Sequence, residues 1–281
     1  MARERRIQGA RVPTRRRIRS DGSSFLARRR RLMRLRLVIP AYNEQDNLEA
    51  LFARIETTAS LSGISYAASV VDDGSRDGTA AVAESLSRTY PIRLLRHATN
   101  QGLQGVFLTG MRDAVSDAGD DDAVCVLEGD GTSAPEVIPS MLERFRDGAD
   151  IVIASRYVPG GEYRNFPLKR RVLSAGANRL LRILCPIPGV RDYTIFYRLY
   201  RTGPLRAALA VYRERFTSVG GFACNSEMLL RMRTFVRRID EVPLVYDYGL
   251  KRGVSGMKIG DNLISYLSLF RIFALDCETP P

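Results

Sequence analysis

The sequence predicts an α/β fold in which a mostly parallel sheet is flanked by helices. Short apolar β-type runs alternate with amphipathic helical patterns, which is typical of parallel strands joined by right-handed crossovers. Two of these runs, within 37–44 and 69–79, end abruptly in polar and turn-forming residues and are followed by helical patterns. With 281 residues, 45% of them hydrophobic, the chain is long enough to bury a large core.

The individual elements follow from local patterns after residue 34. Leu48, Leu51, Phe52 and Ile55 recur at helical spacing and predict the first amphipathic helix. Pro135 opens a later helix at the first-turn position that proline favours. The predicted strands are 35–39, 66–71, 92–95, 123–127, 151–154 and 239–245. The predicted helices are 48–55, 80–86, 102–118, one opened by Pro135, 168–184, 226–237 and 262–275.

The excess positive charge lies in an N-terminal tail. The formal net charge is +12, and residues 1–36 hold fourteen Arg against only Glu4 and Asp21, so the remainder is neutral. Charge therefore argues against nucleic-acid binding by the globular part. We expect residues 1–34 to be a disordered Arg-rich extension. A polybasic anchor for an anionic membrane face, a transit peptide and a start-site artefact are the alternatives.

Cysteine and histidine usage excludes several kinds of site. Cys125, Cys185, Cys224 and Cys277 show no paired spacing, so we predict neither disulfides nor a zinc site and expect buried thiols in a reducing cytosol. His97 is the only histidine, which excludes a metal site built from several histidines. The chain has no run of eighteen apolar residues that could span a bilayer.

Acidic side chains follow the apolar strands. Asp72, Asp73, Glu128 and Asp130 each come just after a predicted strand. Because the carboxyl ends of parallel strands meet at one edge of a sheet, we expect these side chains to converge. Converging carboxylates repel one another unless a cation lies between them, and a hard divalent ion that bridges carboxylate and diphosphate oxygens meets this need. The alternative is that the Asp-Gly pairs only make turns.

Five stretches match the motifs of one enzyme family. They are Pro40-Ala41-Tyr42-Asn43-Glu44, Val71-Asp72-Asp73-Gly74-Ser75, Asn100-Gln101-Gly102-Leu103, Glu128-Gly129-Asp130 and Ala154-Ser155-Arg156-Tyr157-Val158-Pro159-Gly160-Gly161. With them, the chain from about 35 to 258 resembles the polyprenyl-phosphate (dolichol-phosphate) mannosyltransferase-like branch of the family 2 glycosyltransferases. The resemblance implies the GT-A fold, which is Rossmann-like, over 35–260, with a C-terminal amphipathic helix and tail at 261–281.

The resemblance also implies roles for individual residues. The implied nucleotide-sugar-binding residues are Pro40, Ala41, Tyr42, Glu44, Asp72, Asp73, Gly102, Glu128 and Gly129. The implied acceptor-phosphate-binding residues are Arg156, Arg170 and Ser174, of which the last two share a helix face at i, i+4. The implied catalytic residues are Asp130, Arg156 and Asp192. Glu128 and Asp130 are the implied ligands of Mg²⁺ or Mn²⁺.

The chain departs from the family pattern at two places. Glu128 replaces the usual first Asp of the metal motif, and Thr132 replaces a common Gln ligand, so metal binding depends mainly on Asp130. Near the C-terminus the family's lysine is displaced by two positions to Lys258, and Arg252 is a possible substitute on the donor diphosphate.

The resemblance implies an inverting transfer of a hexose, mannose or glucose, from a nucleotide diphosphate sugar to polyprenyl or dolichyl phosphate. A lipid phosphate, whose second pKa is about 6, is largely ionised at neutral pH and attacks without a general base. A glycan or small-molecule hydroxyl acceptor would instead need a carboxylate base, and Asp192 is the candidate. A third alternative is a non-catalytic nucleotide-sugar-binding protein.

The expected location is the cytoplasmic face of a membrane. The apolar helix at 262–275 is too short to span a bilayer. It is either packed on the protein or lies at the membrane surface. We therefore expect peripheral membrane contact or a membrane-embedded partner, and no nucleic-acid partner.

Overall fold

The computed structural model describes residues 33–252 and 259–276. The expected tail at 1–34 thus lies almost wholly outside the described residues, as do Lys258 and residues 277–281. The strands are β1 (Leu35–Ala41), β2 (Tyr66–Asp72), β3 (Ile92–Arg96), β4 (Ala123–Val126), β5 (Ile151–Ser155), β6 (Glu162–Arg164), β7 (Arg198–Arg201), β8 (Ile239–Pro243) and β9 (Val245–Asp247). The helices are α1 (Leu48–Ser62), α2 (Thr79–Leu86), α3 (Gly102–Ser116), α4 (Ile138–Arg146), α5 (Leu168–Leu184), α6 (Thr202–Tyr212), α7 (Ala223–Met232) and α8 (Ile259–Asp276).

Seven strands form one sheet in the order β3-β2-β1-β4-β7-β5-β8. All neighbouring pairs are parallel except those made by β7, which is antiparallel to both β4 and β5. The predicted mostly parallel α/β fold is therefore confirmed. Strands β6 and β9 form a separate parallel pair.

The strand order reverses direction at β1. From β1 the chain proceeds outward to β2 and β3, and then returns to place β4 on the other side of β1. In open α/β sheets such a switch point opens a crevice outside the carboxyl ends of the strands. The loops that follow β1 and β4 approach so closely there that a Cβ on Gly129 would lie 2.5 Å from the carbonyl oxygen of Pro40.

The core lies on both faces of the sheet, as the apolar strands predict. Strand β5 is buried throughout, and α1 buries the four apolar side chains whose spacing predicted it. Cys125, Cys185 and Cys224 are buried, as expected. Among the described residues no helix is long and apolar enough to cross a membrane.

The sequence prediction missed some elements and misplaced others. It missed β7 and α6, and the predicted helix at 226–237 is α7, which runs from Ala223 to Met232. The predicted strand at 239–245 is two strands, because the chain leaves the large sheet after Pro243 and joins the small one at Val245. This division brings the residues after β9 back towards the carboxyl ends of β1 and β4.

Candidate active site

A cavity of about 500 Å³ lies at the switch point. It collects side chains from the loops after β1, β2 and β4, from helices α5 and α8, and from the segment after β9. The residues predicted from the sequence that line it are Pro40, Ala41, Tyr42, Glu44, Asp73, Gly102, Glu128, Gly129, Asp130, Arg156, Arg170 and Ser174. Of the predicted set, only Asp72 and Asp192 are not among its lining residues.

Asp73 lines the cavity and takes part in several hydrogen bonds. Its Oδ1 accepts from the backbone N–H of Gln101 at 2.8 Å, and its Oδ2 accepts from that of Gly102 at 2.9 Å. His97 Nδ1 lies 2.7 Å from Asp73 Oδ1. The Asp73 carboxylate is thus held rigidly between the loop after β2 and the start of α3.

The preceding residue, Asp72, has a different role. It is buried, its Oδ1 accepts from the backbone N–H of Ser75 at 3.0 Å, and its Oδ2 lies 3.5 Å from Arg96 Nε. These contacts shape the turn after β2 and do not direct the carboxylate into the cavity. The structure therefore does not bring Asp72 together with the other predicted nucleotide-sugar residues.

Three carboxyl groups that line the cavity, from Glu44, Glu128 and Asp130, lie close enough to influence one another. Burial, reinforced by the charge of Asp130, raises the pKa of Glu128 to about 7. Burial also raises the pKa of Glu44 to about 7, against the opposing effect of Lys251. Ionised carboxylates in this position are costly unless a cation compensates them.

The donor set fits a hard divalent cation. Carboxylate oxygens are the protein ligands that Mg²⁺ prefers, and it is commonly held by one or two carboxylates together with substrate phosphates. Glu128 and Asp130 are two residues apart in the loop after β4, and both line the cavity. In the described part of the chain, no group of three or more His, Cys, Asp or Glu side chains could hold a metal ion. The remaining ligands would therefore have to come from a bound diphosphate and water.

Lys251 was missed by the sequence analysis and is the basic group nearest these carboxylates. Its Nζ donates to Asp130 Oδ2 at 2.7 Å and lies 3.8 Å from Glu44 Oε1. Burial disfavours the ammonium ion, but Asp130 outweighs this effect and raises the pKa of Lys251. Lys251 therefore stays charged. The suggested substitute, Arg252, is exposed and is not among the lining residues.

Arg156 also lines the cavity and is held by Asp192. The Arg156 Nε donates to Asp192 Oδ2 at 2.8 Å, and Nη2 donates to Oδ1 at 2.7 Å. Burial alone would raise the pKa of Asp192, but the Arg156 charge and hydrogen bonds outweigh it and lower that pKa. A buried carboxylate with both oxygens engaged and a lowered pKa is a poor proton acceptor, so this geometry does not support Asp192 as a general base.

Aromatic and hydroxyl groups surround the guanidinium of Arg156. Its central carbon lies 4.8 Å from the ring centroid of Tyr163 and 5.7 Å from that of Tyr246. Ser174 Oγ lies 2.9 Å from Tyr163 Oη and 3.0 Å from Thr194 Oγ1, which in turn accepts from Arg156 Nη2. This network links α5 to the Arg156 loop.

Arg170 is a second arginine that lines the cavity. Its Nη1 donates to Tyr248 Oη at 2.8 Å, next to the small β6-β9 sheet. Arg156, Arg170 and Ser174 thus line the same cavity and could together bind an anion such as a phosphate. The aromatic residues Tyr246 and Tyr248 were not predicted, because nothing in the local sequence shows that β9 returns to this cavity.

Comparisons with known proteins agree with this architecture. A model of glycosyl transferase family 2 matches residues 37–209. A dolichol-phosphate mannosyltransferase of Pyrococcus furiosus is 34% identical over 252 residues, which cover 88% of this chain and 65% of that protein. An undecaprenyl-phosphate mannosyltransferase of Micrococcus luteus is 33% identical over 215 residues, which cover 76% of this chain and 84% of that protein. The chain therefore spans somewhat less than two thirds of the Pyrococcus protein.

The fold also resembles that of solved structures. Glucosyl-3-phosphoglycerate synthase from Mycobacterium tuberculosis, crystallised with Mn²⁺, UDP-glucose and phosphoglyceric acid, superposes with a TM-score of 0.59 at 16% identity, covering 89% of this chain and 81% of that one. At this identity the likeness establishes a shared GT-A-like fold. The family match extends over more than half of the chain, and the chain therefore belongs to glycosyl transferase family 2.

Proposed function

We propose that this glycosyltransferase moves a hexose, mannose or glucose, from a nucleotide diphosphate sugar to polyprenyl phosphate with inversion at the anomeric carbon. The observation that carries the proposal is that one cavity contains both the carboxylates suited to a donor diphosphate with its cation and the Arg156, Arg170 and Ser174 cluster suited to a phosphate acceptor. The names of the relatives as dolichol-phosphate and undecaprenyl-phosphate mannosyltransferases support the same acceptor class.

On the donor side, Asp73 and the loop after β1 would bind the nucleoside. Asp73 is held by backbone N–H groups, and its own N–H donates to the carbonyl oxygen of Ala41. The next residue, Tyr42, lines the cavity with a side chain that is 41% exposed. A carboxylate can accept from the N–H groups that uracil and guanine both present. Glu128 and Asp130 would hold the divalent ion, which when bound offsets negative charge on the diphosphate.

On the acceptor side, the fixed guanidinium of Arg156 is the central group. Its described hydrogen bonds use Nε and Nη2, and Nη1 makes none among the described contacts. Two arginines that line one cavity favour a doubly charged phosphate by charge-assisted hydrogen bonds. Because Asp192 is committed to Arg156, an acceptor that needs no base fits this site better than a hydroxyl.

The chemistry is then a single displacement. An acceptor phosphate oxygen forms a bond to the anomeric carbon while the bond from that carbon to the diphosphate oxygen breaks, and the nucleoside diphosphate leaves with the electron pair. No proton has to be removed from an ionised phosphate. The contribution of the protein is to align the two anions and to stabilise the charge that develops on the leaving group.

The outer faces of α5 and α8 support a lipid acceptor. Leu168, Val172 and Ile183 of α5 are 73%, 63% and 66% exposed, and Ile264 and Leu267 of α8 are 65% and 60% exposed. Both helices also contribute to the cavity wall. Exposed apolar side chains on helices with basic neighbours are typical of helices that lie on a membrane surface. A polyprenyl chain could remain in the bilayer while its phosphate enters the cavity.

The test is transfer from radiolabelled donors, with GDP-mannose and UDP-glucose assayed separately in the presence of Mg²⁺ or Mn²⁺. We expect label in an organic-soluble product only when polyprenyl phosphate is present, and none with the unphosphorylated polyprenol. The anomeric configuration of the product, determined by NMR, should be opposite to that of the donor. Product that forms equally well on a glycan or water-soluble hydroxyl would reject the lipid-phosphate acceptor.

A further inference from the structure

Lys251 occupies a position that a divalent ion would also need. It follows the short 3₁₀ turn at Tyr248–Leu250, and its side chain is only 13% exposed. Its Nζ contacts Asp130 at 2.7 Å and Glu44 at 3.8 Å. Lys251 thus places a positive charge beside two of the cavity carboxylates.

Both oxygens of Asp130 have partners within the protein. Oδ2 accepts from Lys251 Nζ, and Oδ1 accepts from the backbone N–H of Thr132 at 3.1 Å and from Thr132 Oγ1 at 2.5 Å. Thr132 is fully buried, so its contact with Asp130 is shielded from water. Lys251, on a flexible side chain at the cavity wall, is the partner that can move.

We infer that Lys251 and the divalent ion compete for Asp130 Oδ2, so that Lys251 couples loading of the ion to arrival of the donor diphosphate. An ammonium ion and a divalent ion repel each other at contact distances, and the ion alone must displace Lys251 from Asp130. A nucleoside diphosphate supplies further oxygen ligands to the ion and an alternative anion for Lys251. Lys251 is therefore a positioning residue for the metal-nucleotide complex. The inference depends on the metal site in the proposed function, and on no particular acceptor.

The test is a titration of the full chain with Mn²⁺, in which the electron paramagnetic resonance signal measures the free ion. The titration is done without nucleotide and with saturating GDP or UDP. For the wild type we expect the nucleotide to tighten Mn²⁺ binding by about tenfold or more, a usual size for coupled sites. Lys251→Met should bind Mn²⁺ about tenfold more tightly than the wild type without nucleotide. In this variant, the tightening of Mn²⁺ binding by nucleotide should be smaller than in the wild type by the same factor.

Three variants control this measurement. Lys251→Arg keeps the charge and should behave like the wild type. Arg88→Met removes one positive charge from an exposed site outside the cavity and should leave Mn²⁺ binding unchanged. Asp130→Asn should abolish the binding. Thermal melting of each variant checks that it is folded. If Lys251→Met does not fold, Lys251→Gln is used as a second neutral variant.

Unchanged or weaker Mn²⁺ binding in the folded neutral variants would overturn the inference, and so would the absence of Mn²⁺ binding in every variant. The result is independent of the acceptor assay. A chain that shows the predicted competition and transfers no hexose to polyprenyl phosphate contradicts the proposed function and leaves the role of Lys251 intact. A chain that transfers hexose to polyprenyl phosphate without this competition contradicts the inferred role of Lys251 and leaves the proposed function intact.

Discussion

Asp192 and Arg156 form a buried bidentate pair, with hydrogen bonds of 2.8 Å from Nε to Oδ2 and 2.7 Å from Nη2 to Oδ1. Asp192 is fully buried, and Arg156 is 8% exposed. Removing one partner of such a pair leaves an uncompensated charge in the interior. The pair therefore ties the orientation of a cavity arginine to the stability of the fold.

We expect Asp192→Asn to lower the free energy of unfolding by about 3–5 kcal/mol, because Arg156 loses its counter-charge. Hexose transfer should fall with it, whereas donor affinity should not, since Asp192 does not line the cavity. Chemical denaturation, nucleotide binding and transfer assays measure the three quantities. A variant of normal stability that loses only kcat would instead indicate a general base.

The same pair predicts a pH dependence. The pKa of Asp192 is lower in the folded protein than its ordinary value of about 3.9. The stabilisation is therefore complete above about pH 4 and is lost as the pH falls through the lower folded pKa. The difference in unfolding free energy between the wild type and Asp192→Asn should be constant from pH 5 to 7 and should shrink on further acidification. A gap that widens at low pH would contradict this assignment.

Replacing Arg170 or Ser174 by Ala should weaken acceptor binding selectively. Loss of a charge-assisted hydrogen bond to phosphate corresponds to about a 10- to 100-fold rise in KM for polyprenyl phosphate in the Arg170→Ala variant. Ser174→Ala should have a smaller effect in the same direction. Donor KM should change little. Arg146→Ala, on the exposed surface of α4 and outside the cavity, is the matched control and should leave both constants unchanged.

Gly129→Ala should be destabilising, because the added Cβ would meet the Pro40 carbonyl oxygen at 2.5 Å. The loops after β1 and β4 would have to separate, which we expect to cost about 1–3 kcal/mol and to weaken donor binding. Gly176→Ala is the control, since a Cβ there has no neighbour within 4 Å and an exposed helix gains up to about 1 kcal/mol from Ala. Equal melting temperatures for the two variants would refute the close approach of the loops.

Val172→Glu and Ile183→Glu should reduce binding to vesicles that contain anionic lipid, because both side chains lie on the exposed face of α5. Transfer to polyprenyl phosphate in vesicles should fall in parallel, while transfer to a short-chain, water-soluble analogue should persist. Leu61→Glu alters an apolar side chain of α1 that is 84% exposed and lies outside the cavity, and it should have neither effect. Flotation of the vesicles measures binding, and unaltered flotation of both α5 variants would exclude this face as the membrane contact.

Much of the site could be predicted from local sequence. The apolar runs before Asp73 and Asp130 identify strands, and parallel strands bring their carboxyl ends to one edge, so the convergence of these carboxylates was foreseeable. Strand β7 was not foreseeable in this way. This strand begins with Arg198, which is fully buried because its guanidinium donates hydrogen bonds to Asn225 and to the Tyr193 carbonyl oxygen. Neither partner is a sequence neighbour of Arg198, so the local pattern does not show that this charged residue can be buried in a strand.

Local sequence is enough to predict the alternation of strands and helices, the family motifs and the strand ends at which polar residues gather, because each depends on neighbours a few positions away. The contacts of those polar residues, in contrast, follow from the three-dimensional fold. Lys251 reaches Asp130 across 121 positions of the chain, and Asp192 reaches Arg156 across 36. Such pairings depend on where the loops return in space, and they place Lys251 beside a cavity carboxylate and Asp192 against Arg156.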